Sequence, residues 1–118
     1  MSFNDDLKNR TKAFAVEIIK LYASLPKTDE MRVIGKQLLR SSTSVAANFR
    51  AYARGRSDKE RFAKLSITVE EMDESLFWLE IFEESELLHK DRIVTYKNEA
   101  LELLKILSSF RKTLKNRL

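Results

Sequence analysis

Two glycines and one proline in 118 residues leave this chain very few places to reverse direction. A β-sandwich or barrel needs turn-forming residues roughly every eight to twelve positions, and this chain cannot supply them. Long helices joined by short links are what such a sequence can build. The absence of cysteine removes disulfides, thiolate metal sites and cysteine nucleophiles, and it fits a reducing compartment. At this length one domain can enclose a proper core without covalent staples.

Four amphipathic segments run along the chain, predicted as helices over about 5–24, 28–54, 58–84 and 90–116 of a single domain. The first repeats Leu7, Phe14, Ile18 and Leu21 at helical spacing, with Asp5 and Asp6 in its first turn and Pro26 just past its end. The second opens at Thr28, a good N-cap, and carries Met31, Ile34, Leu38, Val45 and Phe49 on one face. Its middle, Ser41-Ser42-Thr43-Ser44, is poor helix sequence. Small residues there let a neighbouring helix approach closely, so packing can override propensity. The third follows Gly55, and Ser57 with Glu60 predicts a capping box at its start. Its core face is Phe62, Leu65, Val69, Met72, Leu76 and Leu79, and that of the fourth is Ile93, Tyr96, Ala100, Leu103, Leu107, Phe110 and Leu114. Short links force neighbours antiparallel, so the expected fold is all-α, an antiparallel up-and-down four-helix bundle. A three-helix bundle with one long kinked helix is the chief alternative.

Catalytic chemistry finds no foothold in the sequence. His89 is the only histidine, and no second histidine or cysteine exists to share a metal with it. Glu70, Glu71, Asp73 and Glu74 cluster on the third segment. A di-metal bundle site would add Glu-x-x-His motifs on facing helices, and none is present. Neither glycine-rich phosphate loop occurs, and serines 41–44 lack the adjacent base that would make one nucleophilic. The expectation is a protein without catalytic residues, cofactor or metal. A magnesium-dependent hydrolase would need the third-segment carboxylates to converge with others in a pocket. No apolar stretch is long enough to span a bilayer, and the polar start Ser2–Asp6 is unlike a secretion signal, so a cytoplasmic location is expected.

Charge is distributed in blocks. Residues 27–61 hold nine basic side chains against four acidic ones, whereas residues 62–90 hold two against eight. Eighteen residues make five full helical turns, so Arg32, Lys36, Arg50 and Arg54 fall within about 40° of one another on the second segment. Arg40 flanks this stripe and Arg56 extends it beyond the helix. Such a stripe can follow nucleic-acid phosphates and release their counterions; pairing with the acidic third helix would neutralise it instead. The third segment carries a second apolar strip. Ile67, Trp78 and Ile81 lie well round from its core face, with Glu71 and Glu74 among them and Phe77 and Phe82 widening the girth. A tryptophan ringed by charge suits a subunit interface, so a closed homo-oligomer is expected through these residues.

The block Arg40-Ser41-Ser42-Thr43-Ser44-Val45-Ala46-Ala47-Asn48-Phe49-Arg50, with Arg54-Gly55-Arg56-Ser57, carries a family pattern. It continues through Phe62-Ala63-Lys64-Leu65-Ser66-Ile67 and Glu70-Glu71-Met72-Asp73-Glu74 to Trp78-Leu79-Glu80. It resembles the bacterial four-helix-bundle family named for proteins encoded in intervening sequences of 23S ribosomal RNA genes. The accessory variability proteins of diversity-generating retroelements belong to the same family. The resemblance implies a pentameric barrel of bundles. Through the retroelement branch it also implies RNA or DNA binding and a protein partner, on the basic surface of Arg32, Lys36, Arg50, Arg54 and Arg56. Many members carry a glutamate soon after the asparagine, where this chain has Ala51, so the family pattern leaves the role of Asn48 open. The rival expectation is a structural adaptor that binds protein partners alone.

Overall fold

The computed structural model describes residues 2–118 and consists of four helices, α1 (Phe3–Ala23), α2 (Asp29–Ala53), α3 (Asp58–Glu84) and α4 (Lys90–Lys115). Each start has a local cause. The Ser2 hydroxyl accepts from Asp5 N while the Asp5 carboxylate accepts from Ser2 N, so a complete capping box opens α1. Thr28 caps α2 through Met31 N. Ser57 caps α3 through Glu60 N at 3.1 Å, but the return bond from the Glu60 side chain does not form, so the expected box is half made. His89 caps α4, its Nδ1 accepting from Asp91 N at 3.2 Å.

Sequential helices pack side by side and antiparallel, and α1 meets α4 to close the ring, giving the expected up-and-down four-helix bundle. The α1–α4 seam is the loosest. A cleft of about 710 Å³ opens there over Phe14 and Tyr96, between the Arg10–Glu99 ion pair and the Arg92–Ser24 hydrogen bond. The core is drawn from all four helices, with Phe49 and Phe82 its largest fully buried side chains. Truncating either to alanine would cost about 3–5 kcal/mol.

α2 runs unbroken through its serine stretch, for the reason anticipated from side-chain size. Ser41 and Ser42 are fully buried, and each hydroxyl returns to a carbonyl of its own helix, Leu38 O and Leu39 O, at 3.2 Å. Ser75 on α3 donates to Ser41 Oγ at 2.9 Å, which requires the two helices to lie close. Thr11 and Thr68, also fully buried, bond back in the same manner. Among the described residues no buried side-chain polar atom lacks a partner.

Candidate nucleic-acid interface

The structure divides the basic residues of α2 into two groups. Arg40 leans across the seam to α3, where it donates to Glu71 at 2.8 Å and to Glu74 in a second, shorter contact. Its hydrogen bonds to Glu74 and Glu71 hold the guanidinium pKa above its already high ordinary value. Burial pushes the Glu74 carboxyl up, but the Trp78 indole N–H and Arg40 outweigh it and leave Glu74 below the ordinary carboxylate range. Arg40 is thereby neutralised in place.

The other cations point elsewhere. Lys36, Arg50, Arg54 and Arg56 are exposed, with no ion pair to any described residue. Arg32 makes one long contact, 3.4 Å, to the fully solvated Asp29 one turn earlier, and such a pair is worth little. Arg50 and Arg54 do not stand alone. They line a cleft of about 330 Å³ whose opposite wall is Lys8, Asn9 and Lys12 of α1 and whose floor includes Ala46 and Ala47. No carboxylate lines it.

Lys8 and Lys12 were not among the residues expected from sequence. They sit one turn apart on the side of α1 that faces α2, and antiparallel packing brings them level with Arg50 and Arg54. The register is fixed near the other end of the seam, where Tyr22 of α1 lies over Gly35 of α2. The sequence signal was present as a lysine pair spaced by four. Assigning it to this surface required the pairing register, which one helix alone does not carry.

The α3 strip is also mixed. Ile67 and Phe77 are exposed, at 38% and 48%, while Ile81 and Trp78 are half-buried and Trp78 packs against the core. Phe82, expected to widen this strip, is wholly buried in the core instead. Phe77 meets the Trp78 ring edge-on at 4.9 Å between centroids, and Trp78 Nε1 donates to Glu74 at 3.1 Å. Glu71 and Glu74 are both turned toward Arg40, so the strip presents Ile67, Phe77 and Ile81 more than its carboxylates.

Asn48 spends its amide donor inside α2, on Ser44 O at 2.9 Å and Ser44 Oγ at 3.0 Å. His89 is occupied as the α4 cap. Among the described residues no three His, Cys, Asp or Glu side chains are arranged to hold a metal; of the α3 carboxylates, Glu71 and Glu74 come together on Arg40. No helix of the described residues is long and apolar enough to cross a membrane.

These features describe a small four-helix bundle with a cationic cleft, free of carboxylates, between its first two helices. The chain belongs to the 23S rRNA-intervening sequence protein family, which it matches over residues 4–109. It is similar to a crystal structure from Bacteroides thetaiotaomicron described as a protein with unknown function from the S23 ribosomal protein family. The TM-score is 0.83 at 32% identity, over 92% of this chain and 97% of that one. No curated protein matches the chain.

Proposed function

We propose that this protein acts by binding rather than catalysis, and that it holds RNA or DNA by its phosphates in the basic cleft between α1 and α2. The observation that carries this reading is the convergence of Lys8, Lys12, Arg50 and Arg54 around one cleft without a carboxylate among its lining. Four cations held close together repel one another, so an unpaired cluster costs the fold a little stability. A polyanion repays that cost by displacing its own counterions. Assembly belongs to the same reading. Ile67 and Phe77 leave α3 with apolar surface that its own bundle does not cover. A homo-oligomer, with the pentamer of the family resemblance as its expected form, would bury it.

Fluorescence anisotropy against a structured RNA at 50 and 200 mM salt tests the binding. Micromolar or tighter affinity at the lower salt is expected, falling by about two orders of magnitude at the higher if four phosphates are contacted. Arg50→Glu with Arg54→Glu should weaken it at least tenfold and flatten the salt dependence by about two phosphates. Absence of binding at low salt, or binding indifferent to salt, removes the reading and leaves the protein-only adaptor. Light scattering on the same sample reads the assembly, and single chains in solution would remove that part.

A further inference from the structure

We propose that the nucleic acid this surface fits is a double helix, and that α2 lies along it with its two cationic ends on phosphates about one turn apart. The inference rests on the phosphate-binding reading above and goes beyond it by naming the form of the partner. Along α2 the cations not held by a neighbouring helix fall into two clusters. Arg32 and Lys36 lie near its start, and Arg50 and Arg54 at its end, where Lys8 and Lys12 of α1 join them. At 1.5 Å per residue the clusters lie about 27 Å apart centre to centre, and about 33 Å from first to last residue. One turn of duplex is about 34 Å.

Between the clusters the one charged side chain of α2 is Arg40, which stands at the flank and is already paired with Glu71 and Glu74 of α3. Leu39, Thr43, Ala46 and Ala47 fall on the same side of α2 as the cations, and none of the four is fully buried. Spacing of this kind suits two crossings of one phosphate rank a full turn apart, because the cations stand at the crossings and the short side chains between them leave room for the grooves. Single strands are held by a different device, aromatic side chains on which unstacked bases lie. On α2 this face has none, since Phe49 and Tyr52 are both buried in the core, and the one aromatic beside it, Tyr22 of α1, is half-buried and packed over Gly35 rather than standing out as a platform. With its free cations on the phosphates, the face keeps only short side chains and the already paired Arg40 between them, so what it can recognise is the shape and charge of a duplex. α2 is one continuous helix from Asp29 to Ala53, which keeps the distance between clusters fixed before any ligand arrives.

The test uses the full-length protein and three fluorescent DNAs. Two are hairpins with the same loop and stems of 7 and 16 base pairs. The third is a 16-base strand unable to pair. At about 3.4 Å per pair the stems are about 24 and 54 Å long, so only the longer can span the roughly 33 Å from Arg32 to Arg54. The longer stem should bind more than tenfold tighter than either other probe, and its salt slope should be steeper than the short stem's by about two phosphates. Extra binding registers on a long stem raise affinity but leave the slope unchanged, so the slope decides. Arg32→Glu with Lys36→Glu should abolish the slope difference and leave the 7-pair stem within about twofold of wild type. Both positions are exposed, so glutamate there disturbs no packing, and an unchanged circular dichroism spectrum checks the fold. A single strand bound as tightly as the long stem, or a double variant that weakens both stems equally, overturns the proposal while leaving phosphate binding in place. No binding to any probe overturns both.

Discussion

The second helix borders two seams that treat charge in opposite ways. Toward α3 its one reaching arginine, Arg40, meets two carboxylates and is neutralised. Toward α1 its two arginines, Arg50 and Arg54, meet two lysines and are left as they are. Both seams are narrow at a small residue. Ser41 lies against Ser75 on one side, and on the other an added Cβ at Gly35 would come within 2.6 Å of the Tyr22 ring. Both seams thus have a close point, and the difference in charge lies in the side chains at the rim. A cation that the fold pairs serves the fold, whereas one that the fold gathers and leaves unpaired is available to a ligand.

The largest effect expected from disturbing this arrangement is at the narrow point of the α1–α2 seam. Gly35→Ala would push its methyl into Tyr22, and overpacking of that kind costs about 1–3 kcal/mol, read by urea denaturation. In a Tyr22→Ala background the clash is gone, and the same substitution should instead stabilise by up to about 1 kcal/mol through helix propensity. If Gly35→Ala proved neutral with Tyr22 intact, the seam would not be pinned there. The register that sets Lys8 and Lys12 opposite Arg50 and Arg54 would lose its anchor.

A smaller effect separates the two kinds of arginine directly. Arg40→Gln removes the cation between two partly buried carboxylates and should cost about 1 kcal/mol after allowing for its half-exposed position. Its affinity for nucleic acid should stay within about twofold of wild type. Arg50→Gln with Arg54→Gln should do the reverse, lowering affinity at least tenfold while thermal stability holds or rises slightly as repulsion is relieved. Thermal melts and anisotropy on the same preparations measure both. If the Arg40 variant loses affinity as strongly as the double variant, the division between structural and ligand-facing charge is wrong.

Much of this was legible in the sequence, and what was not has physical reasons. The four helices and their faces follow from a spacing that holds for any helix packed on one side. The unbroken course of α2 through Ser41–Ser44 followed from side-chain size. The Ser57–Glu60 box was read from residue types alone, and only its backbone half forms. For the basic stripe, helical angles placed Arg32, Lys36, Arg50 and Arg54 together, but angles on one helix do not say what stands opposite. Arg40 differs from them by its neighbour across the seam, and Lys8 and Lys12 join them for the same reason. Glu71 and Glu74 were assigned to an outer strip by position and are drawn to Arg40 by charge. Periodicity records which way a side chain leaves its helix. Partners across a seam depend on register and long-range pairing.

The smallest effect tests the paired seam by pH. The Glu74 carboxyl is held below the ordinary carboxylate range in the folded chain, net of the burial that pushes it up. Its unfolded counterpart titrates at the ordinary value, about 4.3. A depressed folded pKa gives stability that is present in full above the unfolded value and is lost as pH falls through the folded one. Glu74→Gln should therefore cost at most about 1 kcal/mol at pH 7, since glutamine still accepts from Trp78 but no longer pairs with the Arg40 charge. Below the ordinary range the wild type progressively loses the same charge, and the two stability curves should converge. Parallel curves from pH 7 to 3 would mean that the ion pair contributes nothing to the fold. Arg40 would then be held by Glu71 alone, and the contrast between the two seams would weaken accordingly.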